Sequence, residues 1–195
     1  MPTILETARL AQAAYLGPWD YHSSNGTAAM LVRVNGYTIV VYKGTNNLEN
    51  VIQDIRFLPW YSSVVGWCPA GFLHGVQSVM PDMLANLSEV AKEGKLGFVG
   101  HSLGGSEALI AAGWFAALGI PPAFVDAFEP AKTTMGKLND LLLMVKRVTI
   151  TWDGDDPVPD LPFPYEHPSK PMFIGEPTLN PIDSHMIAKV IADLA

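Results

Sequence analysis

The sequence predicts an α/β fold, a mostly parallel central sheet flanked by helices, and three observations carry that expectation. The apolar run 96–99 meets the turn Gly100-His101-Ser102-Leu103-Gly104-Gly105 and then the apolar, alanine-rich stretch 108–118, which reads as strand, tight turn and helix. The runs 30–34 and 37–41 flank Asn35-Gly36, the preferred two-residue hairpin turn, and so read as paired strands. The runs 123–128 and 147–152, apolar and in part β-branched, read as further core strands.

The elements follow from the N-terminus onward. Glu6 and Arg9 sit in a helical pattern that lacks the basic region and apolar core of a classical signal peptide. Synthesis in a cytoplasm is the resulting expectation, with leaderless or lysis-dependent release as the alternative. The hairpin delivers Lys43-Gly44-Thr45 at a strand exit, where a glycine lets the Thr45 amide face a cavity. Phe57, Trp60, Tyr61 and Trp67, punctuated by Pro59 and Gly66, form an aromatic stretch that suits either core or an acyl pocket or lipid interface. At Ser102 the glycines two residues to either side are required because a Cβ there would collide with the adjoining strand and helix. A serine at the apex of such a strand-to-helix turn is a nucleophile elbow, against the plainer reading of a helix N-cap serine.

A hydrolytic serine needs a base, an acid that orients the base, and donors for the oxyanion, in the chain order Ser, Asp/Glu, His. The strand 147–152 empties into Asp153-Gly154-Asp155-Asp156-Pro157-Val158-Pro159-Asp160, a carboxylate-rich loop stiffened by prolines. His185 follows the loop 180–184 and precedes an amphipathic helix on which Ile187, Val190, Ile191 and Leu194 share one face and anchor it. His167, in the extended proline-rich loop 157–171, is its rival. His22, His74 and His101 fit less well, and His101, beside the nucleophile, points away from it in an elbow. The acidic run lacks the glycine and terminal glutamate of a calcium loop, so a polar strand-exit loop is the favoured reading and no metal or other cofactor is called for.

These residues resemble a family. Gly100 to Gly105, Tyr42-Lys43-Gly44-Thr45 with Asn50-Val51-Ile52-Gln53-Asp54-Ile55 after it, and Asp156-Pro157-Val158-Pro159 followed by Leu161-Pro162 look like the class 3, fungal-type lipases of the α/β-hydrolase superfamily. The resemblance implies Ser102 as nucleophile, Asp156 as the orienting acid and His185 as base. It implies Thr45 as part of the oxyanion hole, joined by the amide of Leu103, and a short helical lid over 48–54. Three departures stand out: Lys43 in place of the usual arginine, Val51 where many relatives carry tryptophan, and Glu129, which interrupts the Phe-Gly-x-Pro pattern common after the next core strand.

Composition bounds the remainder. At 195 residues, 49% of them apolar, the chain reads as one domain, 1–195, able to bury its core without disulfides, and the single cysteine, Cys68, excludes an internal one. A net charge of −7 argues against nucleic acid and against docking on anionic membranes, and no apolar run is long enough to span a bilayer. The expected function is hydrolysis of a carboxylic ester, an acylglycerol or similar small-molecule or lipid ester, with a lipid–water interface as a further partner. The alternatives are acyl transfer or thioester hydrolysis on the same triad, or a non-catalytic hydrolase-fold binding protein. Oligomeric state is not legible.

Overall fold

The computed structural model describes residues 1–45 and 58–195. Helix α1 (Ile4–Ala13) opens with a capping box in which Thr3 and Glu6 satisfy each other's backbone amides. Strands β1 (Tyr21–His22), β2 (Ala28–Val34) and β3 (Tyr37–Tyr42) form the antiparallel edge of the main sheet. At the β2–β3 turn both Asn35 (φ 51°) and Gly36 (φ 79°) are left-handed, as a tight two-residue hairpin requires. A separate ribbon follows, β4 (Pro59–Ser62) and β5 (Gly66–Pro69), then α2 (Ala70–Lys92).

The remaining elements are β6 (Leu96–His101), α3 (Leu103–Ala117), β7 (Phe124–Phe128), α4 (Lys137–Leu142), β8 (Arg147–Asp153), a 3-10 turn at Val158–Asp160, β9 (Met172–Ile174), α5 (Pro181–Ser184) and α6 (Ile187–Leu194). Sheet order is β1-β2-β3-β6-β7-β8-β9, and from β3 to β9 every pairing is parallel. The expected mostly parallel sheet flanked by helices is therefore present.

Both faces of the sheet are covered, and the strand period of two sorts the side chains between them. Val40, Tyr42 and Phe98 join the core under α2 and α3, with Phe72, Met83, Leu109 and Phe115. Ile39, Val41 and Val99 point the other way, against Ala8 and Ala11 of α1 and Ile187 and Val190 of α6. Helix α3 is buried almost all round, which is why its sequence is apolar without a polar face. No described helix is long and apolar enough to cross a membrane.

Three details depart from the sequence reading. Helix α3 begins at Leu103 rather than 108, because Gly104 and Gly105 are absorbed into its first turn. The loop before His185 is a helical turn, capped by the Asn180 side chain on the Ile182 amide. Met172–Ile174 adds an edge strand too short to show a pattern.

One polar group on α3 is buried at a cost. Glu107 is 2% exposed, and Thr27 Oγ1 donates to its Oε1 at 2.6 Å while Oε2 has no partner among the described residues. Burial pushes its carboxyl up from 4.5 to about 8. Between those values the unfolded chain has released a proton that the folded protein keeps, so stability falls as pH rises through the window and levels off above it. Glu107→Gln, an uncharged isostere, is expected to leave the melting temperature almost unchanged at pH 5 and to raise it by on the order of 5 °C at pH 9. Melting curves of both proteins at the two pH values check this; a gap that does not grow with pH refutes it.

Candidate active site

Strand β6 ends at the elbow. Ser102 has φ 56° and ψ −128°, a conformation that costs a residue with a Cβ about 1–3 kcal/mol and is held by the elements around it. Its amide donates to Phe128 O at 2.9 Å, tying the apex to β7. A Cβ on Gly100 would overlap the Gly104 carbonyl, and one on Gly104 would lie 2.6 Å from Tyr42 O and 2.8 Å from the Lys43 backbone. The close crossing of strand and helix that raises Ser102 above the sheet therefore requires both glycines. Ser102 Oγ is buried, with no hydrogen-bond partner among the described residues.

The acid and base come from the far end of the chain. Gly154, at φ 49°, turns the backbone out of β8, and Asp156 folds back so that its Oδ1 accepts from the Val158 amide at 2.9 Å. Its Oδ2 lies 2.7 Å from His185 Nδ1, with both side chains buried. An ionised carboxylate only accepts, so Nδ1 carries the proton and Nε2 keeps its lone pair. His185 Nε2 is also buried and without a partner among the described residues. Asp155 steadies the base from outside, its Oδ1 accepting from Ser184 Oγ at 2.9 Å and from the Thr178 amide at 3.3 Å. Helix α6 supplies the apolar anchor expected of it, with Ile187 and Val190 buried.

Behind His185 lies a second polar layer that residue spacing did not reveal. His101 Nε2 donates to the His185 carbonyl at 2.8 Å and lies 3.2 Å from Glu129 Oε2. Its Nδ1 is therefore the lone-pair nitrogen, and it accepts from Tyr15 Oη at 2.7 Å. Burial holds His101 well below the usual imidazole range, so it is neutral. His101, Glu129 and His185 bring ligand-type atoms within 4.8 Å of one another. His101 Nε2 and His185 Nδ1 spend their hydrogens on a carbonyl and a carboxylate, so neither offers a cation its lone pair.

Thr45 lies just past β3 and lines a cavity of about 450 Å³ with Tyr15, Leu16, His101, His185 and Met186. Gly44 makes this possible, since a Cβ there would strike Tyr15 Oη and come within 2.7 Å of the His101 carbonyl. Leu103 occupies the first position of α3, where backbone amides have no partner within the helix. Lys43, without the guanidinium of the family pattern, sets its ammonium 4.8 Å from the Trp19 ring centroid. The lid expected over 48–54 lies outside the described residues.

The other candidates are otherwise engaged. His167 Nε2 meets Pro159 O at 2.7 Å, and its ring packs edge-on to Trp152. Asp153 is buried and ion-paired with Lys189 at 3.4 Å, and Asp160 pairs with Lys132 at 2.7 Å. Each acid of the run 153–160 thus has its own protein partner. Of the aromatic stretch, Val65 and Cys68 enter the core while Trp60, Tyr61 and Trp67 remain exposed on the β4–β5 ribbon.

Known proteins resemble this chain in sequence and in fold. The chain is 25% identical over 169 residues to the secreted mono- and diacylglycerol lipases A of Penicillium cyclopium and Penicillium camembertii, covering 83% of this chain and 55% of each relative. It thus spans about half the length of the curated relatives it matches. Its fold is similar to Rhizomucor miehei lipase in the native propeptide complex, with a TM-score of 0.75 at 19% identity over 88% of this chain and 67% of that one. The lipase of Rhizopus microsporus var. chinensis superposes with a TM-score of 0.74 at 20% identity, over 87% of this chain and 72% of the other. The family model for Lipase (class 3) matches residues 39–166, about two thirds of the chain, and the protein belongs to that family.

Proposed function

We propose that this protein hydrolyses carboxylic esters through an acyl-enzyme on Ser102. The observation that carries the reading is the pairing of Asp156 with His185 Nδ1, which leaves the lone pair of His185 Nε2 unspent, while Ser102 Oγ at the elbow is unspent as well. In the mechanism, Nε2 removes the serine proton as Oγ attacks the ester carbonyl. The amides of Thr45 and Leu103 receive the developing oxyanion, and Asp156 holds the tautomer and the imidazolium that forms. His185 then returns the proton to the leaving alcohol, and water repeats the cycle on the acyl-enzyme.

The cavity supports a lipid-like ester. Its wall carries Leu16, Ile182, Met186 and Ile187 beside the polar Gln12, Tyr15, Thr45, His101 and His185, so an apolar chain is desolvated there next to the base. The names of the Penicillium relatives support an acylglycerol as that ester. The exposed Trp60, Tyr61 and Trp67 suit work at a lipid surface.

A panel of p-nitrophenyl esters of graded chain length, run with and without an emulsion interface, tests the reading. Hydrolysis that rises with chain length beyond acetate is expected, with Ser102 labelled by a fluorophosphonate. Absence of both hydrolysis and label overturns it. Added alcohol converts the product to a transferred ester if acyl transfer outcompetes water.

A further inference from the structure

Tyr15 and His101 stand outside the reacting set, yet hydrogen bonds run from the end of the N-terminal helix through both of them to the backbone of the base. Helix α1 is clamped to the sheet: Thr7 Oγ1 donates to the buried Asp126 Oδ2 at 2.9 Å, and Arg147 donates to that carboxylate at 2.6 Å and to Pro2 O at 2.8 Å. Ala8, Ala11 and Ala14 are buried against the sheet. Tyr15 follows directly. Its hydroxyl reaches His101 Nδ1 at 2.7 Å and packs on Gly44, where a Cβ would strike it. His101 Nε2 lies 2.8 Å from the carbonyl of His185, which sits between α5 and α6, and the two imidazole centroids are 4.8 Å apart.

The hydrogens in this line follow by elimination. A carbonyl only accepts, so His101 Nε2 donates; a neutral imidazole has one N–H, so Nδ1 offers a lone pair and the phenol spends its single hydrogen there. Glu129 Oε2, 3.2 Å from Nε2, shares the same hydrogen and favours the same tautomer. Burial keeps His101 neutral and pushes the Tyr15 hydroxyl well up, so neither bond is lost by titration near neutrality.

We propose that Tyr15 and His101 are positioning residues of the esterase site: the Tyr15 hydroxyl fixes the tautomer of His101, and His101 in turn holds the His185 backbone so that its imidazole stays in register with Ser102. The proposal rests on the assignment of Ser102, Asp156 and His185 as the reacting set. Asp156 holds the imidazole at one nitrogen only, about which the ring can still swing. The bond to the His185 carbonyl restrains the backbone that carries it. Donation onto Nδ1 polarises the His101 ring and strengthens its Nε2–H as a donor, as in other hydrogen-bonded chains.

Substitutions separate this role from a merely structural one. Tyr15→Phe keeps the ring and removes one hydrogen bond; kcat is expected to fall about tenfold with KM within about twofold of wild type. His101→Leu removes the bridge and is expected to lower kcat about 100-fold. His101→Gln places an amide N–H where Nε2 stood and is expected to restore kcat to within about tenfold of wild type. Glutamine has no lone pair at the Nδ1 position, so adding Tyr15→Phe to His101→Gln is expected to cost nothing further. Additive losses would mean that Tyr15 acts by itself at the cavity wall, and overturn the relay. Variants that melt lower but keep wild-type kcat overturn it too. The imidazole ¹⁵N spectrum of the wild type at pH 7, with the His101 signals identified by their loss in whichever His101 variant folds, must show Nε2 protonated and Nδ1 bare. A proton on Nδ1 overturns the proposal. That readout needs no turnover. If the wild type neither hydrolyses esters nor takes up fluorophosphonate, the esterase reading fails and takes the positioning role with it, while the spectrum still reports whether His101 bridges Tyr15 and the His185 carbonyl.

Discussion

Ser102→Ala is expected to lower kcat by about 10⁶-fold while leaving the melting temperature within a degree or so of wild type. The large loss follows because the attacking oxygen has no substitute in the site. Stability is unchanged because alanine carries the same Cβ into the same backbone, φ 56° and ψ −128°, and neither gains nor loses strain. Ser102→Gly makes the strain visible. It is equally inactive, but relief of about 1–3 kcal/mol of backbone strain, less the extra freedom glycine has in the unfolded chain, is expected to raise the melting temperature by about 2–4 °C. Turnover in either variant near that of wild type would remove Ser102 from the mechanism. A glycine variant that melts lower would mean the apex is not strained as described.

The second large effect is at the acid and base. His185→Ala is expected to cost about as much as loss of the serine, and Asp156→Asn about 10⁴-fold in kcat, because an amide at that position favours the wrong imidazole tautomer. His167→Ala and Asp155→Asn are expected within about tenfold of wild type, since one caps a backbone carbonyl and the other steadies a turn. Asp153→Asn acts on stability through its lost ion pair with Lys189 rather than on kcat. Steady-state kinetics on a soluble ester, with melting curves in parallel, distinguish the two groups. An inactive, folded His167 variant beside an active His185 variant would reverse the assignment of the base.

Much of the fold was legible because its signals are local. Asn35-Gly36 specifies a turn through its own backbone preferences, and the elbow declares itself through glycines flanking one serine. Asp156 and His185 could be selected because each lies next to an element whose pattern is readable, β8 before the one and α6 after the other. The short strand β9 was not legible, as three residues carry no period. The distribution of the aromatic stretch was also hidden, since Trp60, Tyr61 and Trp67 are exposed while neighbouring Val65 is buried, a division set by which side of the ribbon packs on the body.

The layer behind His185 could not be read from spacing at all. Tyr15 meets His101 at a separation of 86 positions, and His101 meets Glu129 at a separation of 28. Such contacts arise from the parallel stacking of β6, β7 and β8, which brings three strand exits to one edge of the sheet. In the chain itself Glu129 was only an interruption of a family pattern. Residue order and local backbone preference were enough to specify a strained serine, a carboxylate loop and an anchored histidine. Which second carboxyl and which second histidine would stand beside them depended on burial and on long-range hydrogen bonds, properties that exist only once distant strand ends have been packed out of water.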